Sequence, residues 1–150
     1  MKRLIDQELR KWKESSGRKS LILRGARQVG KTFSVRQLGK TYADFYEINF
    51  EKRPELHSIF ERNLDPVRIL RDLSVDRVSP IRPGETLLFF DEIQICPQAI
   101  LSLRYFYEEM QELHVIGAGF PAAQENMYKY SHLCKFIHYE TEHLGKKAGN

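Results

Sequence analysis

Leu21-Ile22-Leu23-Arg24-Gly25-Ala26-Arg27-Gln28-Val29-Gly30-Lys31-Thr32 decides how the rest of the chain is read. The run from Ser20 to Arg24 is apolar, short and closed by a glycine, which predicts a buried strand. Gly25 to Thr32 then fits the pattern G-x-x-x-x-G-K-[ST]. A loop of this kind must curl so that successive backbone N–H groups point at one phosphate. Gly25 and Gly30 allow the backbone angles and the close approach that a side chain would block. Lys31 supplies a flexible cation for the outer phosphates, and Thr32 offers a hydroxyl to Mg²⁺. The helix expected from Lys31 to Lys40 adds the positive end of its dipole and its free N–H groups. Ala26, Arg27, Gln28, Val29 and Phe33 complete the candidate phosphate-contacting set.

Outward from this loop, strands and helices alternate. Residues 2–14 place Leu4, Ile5, Leu9 and Trp12 at helical spacing among charges, and Ser15-Ser16-Gly17 ends that helix. Asp44 to Phe50 alternates and is rich in aromatics, so it reads as a second strand. Residues 51–83 read as mostly helical, with Pro54, Pro66 and Pro80 as breaks. Thr86 to Phe90 is a third buried strand, Ile100 to Leu113 a helix, and His114 to Ala118 a fourth strand. This alternation predicts an α/β fold, a parallel sheet covered by helices on both faces. The expected organisation is an amphipathic helix over 1–19, a core over 20–120 and a polar tail over 121–150. Within the tail only Cys134 to Tyr139 hints at a strand.

The third strand runs straight into two carboxylates, Asp91 and Glu92. In a parallel sheet, ligands sit at the carboxyl ends of the strands. Asp91 is therefore expected to hold Mg²⁺ alongside Thr32. Glu92 is expected to orient and activate an attacking water as general base. The catalytic candidates are thus Glu92 and Lys31, and the metal candidates Thr32 and Asp91. Gln94 either reaches the outermost phosphate or a neighbouring element, or is a surface amide.

Four segments together, LILRGARQVGKT at 21–32, INFE at 48–51, LLFFDEIQ at 87–94 and HVIGAG at 114–119, resemble the AAA-superfamily ATPase domain of prokaryotic proteins. Those proteins typically carry a C-terminal domain of unknown function. The resemblance implies a P-loop nucleotide-binding fold with strand order 5-1-4-3-2, ATP and Mg²⁺ as ligands, and hydrolysis of ATP. Members of the family usually place a Ser where Phe120 stands, and phenylalanine cannot donate a hydrogen bond. They also continue into a fifth strand and a helical lid. The last thirty residues do not match that continuation, so the fifth strand is expected to be missing or atypical, as in a truncated product; the alternative is a short variant whose Cys134–Tyr139 segment supplies the fifth strand. A nucleotide-binding module with little or no hydrolysis of its own is the corresponding alternative function. Arg104, on the helix before the fourth strand, is either a donor to a neighbouring subunit's nucleotide or a surface arginine.

Composition narrows the classes further. The chain has 150 residues, 41 % hydrophobic and 29 % charged, with nine Phe and seven Tyr to build a core. The basic start lacks the apolar stretch of a signal peptide, and no run approaches the roughly 18 apolar residues of a membrane span. Two cysteines, Cys96 and Cys134, have no metal-ligand spacing, which points to reduced thiols and a cytoplasmic setting. Residues 1–40 hold 12 Lys/Arg against 3 Asp/Glu, a balance of +9; the remaining residues hold 12 against 17, a balance of −5. The basic front suits an anionic partner. ATP or ADP is the expected one. Nucleic acid is not, because no basic–aromatic stacking platform accompanies the charge. Self-association is possible; a membrane partner is not expected.

Overall fold

A computed structural model describes residues 4–25, 30–120 and 134–138. Among the described residues, five strands form one sheet: β1 (Leu21–Arg24), β2 (Asp44–Asn49), β3 (Thr86–Asp91), β4 (His114–Phe120) and β5 (Lys135–His138). Their order is β2-β3-β4-β1-β5, and every neighbouring pair is parallel. The expected order 5-1-4-3-2 is therefore the one observed.

The helices are α1 (Leu4–Glu14), α2 (Lys31–Gly39), α3 (His57–Arg62), α4 (Pro66–Arg77) and α5 (Pro97–Glu109). Alternation along the strands sorts them onto two faces. Leu21, Leu23, Leu87 and Phe89 point to the side covered by α1 and α2, where Ile5, Leu9, Trp12, Val35 and Leu38 complete the packing. Ile22, Leu88 and Phe90 point to the other side, against Phe60 of α3, Ile69 and Leu73 of α4, and Leu103 and Phe106 of α5. Phe50, Phe60 and Phe90 meet there edge to face, with ring centroids 5.4–5.5 Å apart.

Three expectations need correction. The fifth strand is not missing but comes from the Cys134–Tyr139 segment, the alternative source: β5 pairs with β1 over its whole length, from Leu21 opposite Lys135 to Arg24 opposite His138. It hides in the sequence because it is short and at the sheet edge, with Lys135 exposed and Ile137 buried. Tyr139 lies outside the described residues. Secondly, α5 begins at Pro97 and ends at Glu109, not at Ile100 and Leu113. Pro97 opens the helix because the first turn has no use for its missing N–H. Thirdly, Pro54 and Pro66 likewise start helical turns instead of breaking them, with the Asp65 side chain accepting from the Val67 N–H at the α4 entry.

Candidate functional site

The carboxyl ends of β1, β3 and β4 meet the start of α2, and the candidate residues converge there. β1 delivers Gly25 with φ 147°, and Gly30 enters α2 with φ 95°, both in the region that favours glycine. The Ser34 N–H donates to the Gly30 carbonyl at 2.9 Å, closing the first helical turn. Lys31 is buried, and its Nζ donates to the Gly25 carbonyl oxygen at 3.1 Å, so the ammonium folds back to the end of β1. Ala26, Arg27, Gln28 and Val29 lie outside the described residues.

β3 brings Asp91 to the same point. The Thr32 Oγ1 donates to Asp91 Oδ2 at 3.0 Å, joining α2 to β3. The Glu92 backbone N–H donates to Asp91 Oδ1 at 2.9 Å. Burial pushes the Asp91 carboxyl above its ordinary range, and the Thr32 hydrogen bond works against that shift. Thr32 and Asp91 thus present two hard oxygen donors at one point, the chemistry Mg²⁺ selects. With the Lys31 ammonium beside them, the donor set fits a metal–polyphosphate complex.

Glu92 leaves the strand in the left-handed conformation, φ 53° and ψ 43°, and opens a 3₁₀ turn over Ile93–Ile95. Such a backbone is uncommon away from glycine and clusters at functional sites. Gln94 Nε2, from that turn, donates to Glu92 Oε1 at 2.8 Å. β4 closes the wall. Its pairing with β1 slips between Leu23–Ala118 and Arg24–Phe120, so Gly119 is the extra residue of a bulge, with φ 131°. A Cβ on Gly119 would stand 2.0 Å from Gln94 Oε1 and 2.9 Å from the Glu92 Cα. A cavity of about 260 Å³ is lined by Gly30, Lys31, Thr32, Asp91, Glu92 and Gly119, together with Phe33. Phe33 is 58 % exposed and also borders a larger groove of about 680 Å³ between α1 and α2.

The structure therefore brings together Gly25, Gly30, Lys31, Thr32, Phe33, Asp91 and Glu92. Sequence reading left the role of Gln94 open, and gave none to Gly119. The latter's only signal was a glycine near the end of an otherwise apolar strand. Another contact missed was the double hydrogen bond of Arg36, on α2, to Glu47, on β2, at 2.8 Å each. Arg104 pairs with Glu108 one turn along the exposed side of α5. Part of the basic front is engaged within the fold. Lys13 Nζ donates to the Thr41 carbonyl and hydroxyl, and Arg18 donates to the Lys13 and Ser15 carbonyls at the end of α1. Among the described residues no helix is long and apolar enough to cross a membrane.

This loop, sheet order and strand-end carboxylate pair define the P-loop class of nucleotide-binding folds. The chain belongs to the AAA domain family, which matches residues 17–125. No curated protein matches it. Among solved structures it is similar to a candidate primosome component from Streptococcus pyogenes serotype M3, at 15 % identity and TM-score 0.50, over 91 % of this chain and 76 % of that one. A Walker-type ATPase of Pyrococcus abyssi aligns at 19 % identity and TM-score 0.43, over 76 % of this chain and 43 % of that one. At 15 % identity the likeness to the former concerns the fold alone.

Proposed function

We propose that this AAA domain binds ATP with Mg²⁺ and hydrolyses the β–γ phosphoanhydride. The observation that carries the proposal is the Thr32–Asp91 hydrogen bond at 3.0 Å beside the buried Lys31. Two elements 59 residues apart meet so as to offer one cation site next to one phosphate site. In this reading residues 25–33 cradle the phosphates, with the N–H groups at the start of α2 and the Lys31 ammonium facing their negative charge. Thr32 and Asp91 hold Mg²⁺, which supplies charge neutralisation on the phosphate oxygens. Glu92 orients the attacking water and accepts its proton. The water oxygen bonds to the γ-phosphorus, the bond to the bridging oxygen breaks, and ADP and inorganic phosphate leave. The core of the unit is 20–120, with 1–19 as a helix packed on it and 121–150 as a tail that contributes β5. A cytoplasmic setting and self-association belong to the same reading; the two buried cysteines, both free thiols, agree with the former.

Calorimetry with ATP and ADP, with and without Mg²⁺, tests binding. Lys31→Ala is expected to abolish it, and unchanged affinity in that variant refutes the site. Phosphate release tests hydrolysis, with Glu92→Gln expected to lower kcat by about 10²–10⁴. Binding without turnover leaves the alternative function, a nucleotide-binding module.

A further inference from the structure

We infer that Gln94 is a positioning residue for hydrolysis: its side-chain amide holds the Glu92 carboxylate in its working orientation. The inference rests on the reading of Glu92 as general base.

Three features support it. The first is the contact, Gln94 Nε2 to Glu92 Oε1 at 2.8 Å, in which a neutral donor meets a carboxylate. An amide of this kind fixes the direction of the carboxylate without competing for the proton that Glu92 must accept.

The second is the rigidity of the support. The left-handed Glu92 and the 3₁₀ turn after it double the chain back, so that residue 94 returns over residue 92. The turn is pinned by Ile93, fully buried, whose Cδ1 would stand 2.8 Å from a Cβ on Gly117. Its two backbone hydrogen bonds, Ile95 N–H to the Glu92 carbonyl at 3.1 Å and Cys96 N–H to the Ile93 carbonyl at 3.0 Å, hold the same geometry.

The third is the space made for it. Gly119 sits in the β4 bulge with no side chain, and Gln94 Oε1 occupies the place where one would begin. That oxygen is buried and meets no hydrogen-bond donor among the described residues. A buried acceptor without a donor costs stability. An amide that served only packing would be better replaced by an apolar side chain of the same length. The arrangement makes sense when the other end of the amide is what matters, and that end is on Glu92.

The test is steady-state phosphate release and Mg-ATP binding by the full chain, wild type beside Gln94→Met, Glu92→Gln and the double variant. Gln94→Met keeps the length of the side chain and removes the donor. It is expected to lower kcat at least about tenfold while KM and the Mg-ATP Kd stay within about threefold. The double variant is expected to be no slower than Glu92→Gln, because a residue acting through Glu92 has nothing left to position. A merely structural role predicts the opposite: Kd and KM move with kcat, and the two losses multiply. Gln94→Glu keeps a polar side chain if the Met variant does not fold, and the same loss of kcat is expected of it. Wild-type turnover that depends on Glu92 and survives both Gln94 substitutions overturns this inference alone. A wild-type chain that binds Mg-ATP without any turnover dependent on Glu92 overturns the hydrolysis reading, and this inference with it.

Discussion

His114 gives the fold an acid-sensitive point far from the phosphate loop. It opens β4, 8 % exposed, with the Trp12 and Tyr42 rings edge-on at 5.6 and 5.1 Å and the Tyr42 hydroxyl bonded to its Nδ1. Burial, then the charges of Arg18 and Lys13, lower its pKa from 6.5 to about 4. The native state thus keeps the ring neutral while the unfolded chain takes up a proton below about 6.5. Stability from this site is complete above that pH and is lost as the pH falls toward 4. At 1.36 kcal/mol per pK unit, the loss is about 2 kcal/mol at pH 5 and about 3 kcal/mol at pH 4. Asp44 and Asp76, held below the ordinary carboxylate range mainly by Arg77 and Arg53, add their own acid loss. A comparison isolates the histidine. Urea unfolding at pH 7 and pH 5 is measured for wild type and His114→Asn, whose amide oxygen replaces Nδ1 as a partner for Tyr42. Wild type should lose about 2 kcal/mol more between the two pH values than the variant does, whatever their difference at pH 7. Equal losses would refute the account, because they would mean that His114 titrates alike in the folded and unfolded chain.

Thr32→Val removes the hydroxyl but keeps the shape. Calorimetry should show that the gain in ATP affinity on adding Mg²⁺ falls at least tenfold (about 1.4 kcal/mol), while metal-free ADP binding changes less than threefold. Equal effects with and without metal would place Thr32 outside the cation site. The two β4 glycines should differ. Gly117→Ala meets only the side chain of the buried Ile93, whose end must shift, and should cost about 1 kcal/mol. Gly119→Ala meets the Glu92 backbone, demands a strained φ and should cost about 2 kcal/mol or more in urea unfolding.

The strands were legible because each buried one is a dense apolar run at a length no helix favours, as in Leu21–Leu23 and Leu87–Phe90. The phosphate loop was legible because its chemistry fixes residue types at fixed spacing. Less legible was whatever depends on what a residue meets after folding. β5 has a weak pattern and is made a strand by the open edge of β1, where the Lys135 N–H finds the Ser20 carbonyl at 2.8 Å. Gly119 looks like any strand glycine until the bulge against β1 and the Gln94 side chain reveal what its missing Cβ makes room for. Gln94 itself is a common amide in a short turn, and nothing local says that it faces back toward Glu92.

The two adjacent carboxylates illustrate how one fold assigns different work to neighbouring residues. Asp91 and Glu92 are like charges one residue apart, and in an extended strand they would point to opposite faces of the sheet. The left-handed turn at Glu92 breaks that alternation. Asp91 stays in register opposite Asn49 and is tied on both oxygens, to Thr32 and to the Glu92 N–H. Glu92, released from the strand, is held by Gln94 from the turn that its own backbone starts. Each carboxylate has its own donors, which offsets the cost of placing two negative charges so close. The carboxyl tied into the sheet is held in place on both oxygens, which suits the metal-ligand role proposed for it. The one carried on the turn lines the cavity together with Gly119, which suits the water-activating role proposed for it. The left-handed backbone at Glu92 is therefore what gives the two carboxylates different surroundings. Extending the backbone at Glu92 would turn its side chain away from Gln94, which on the proposed reading withdraws the base from its water.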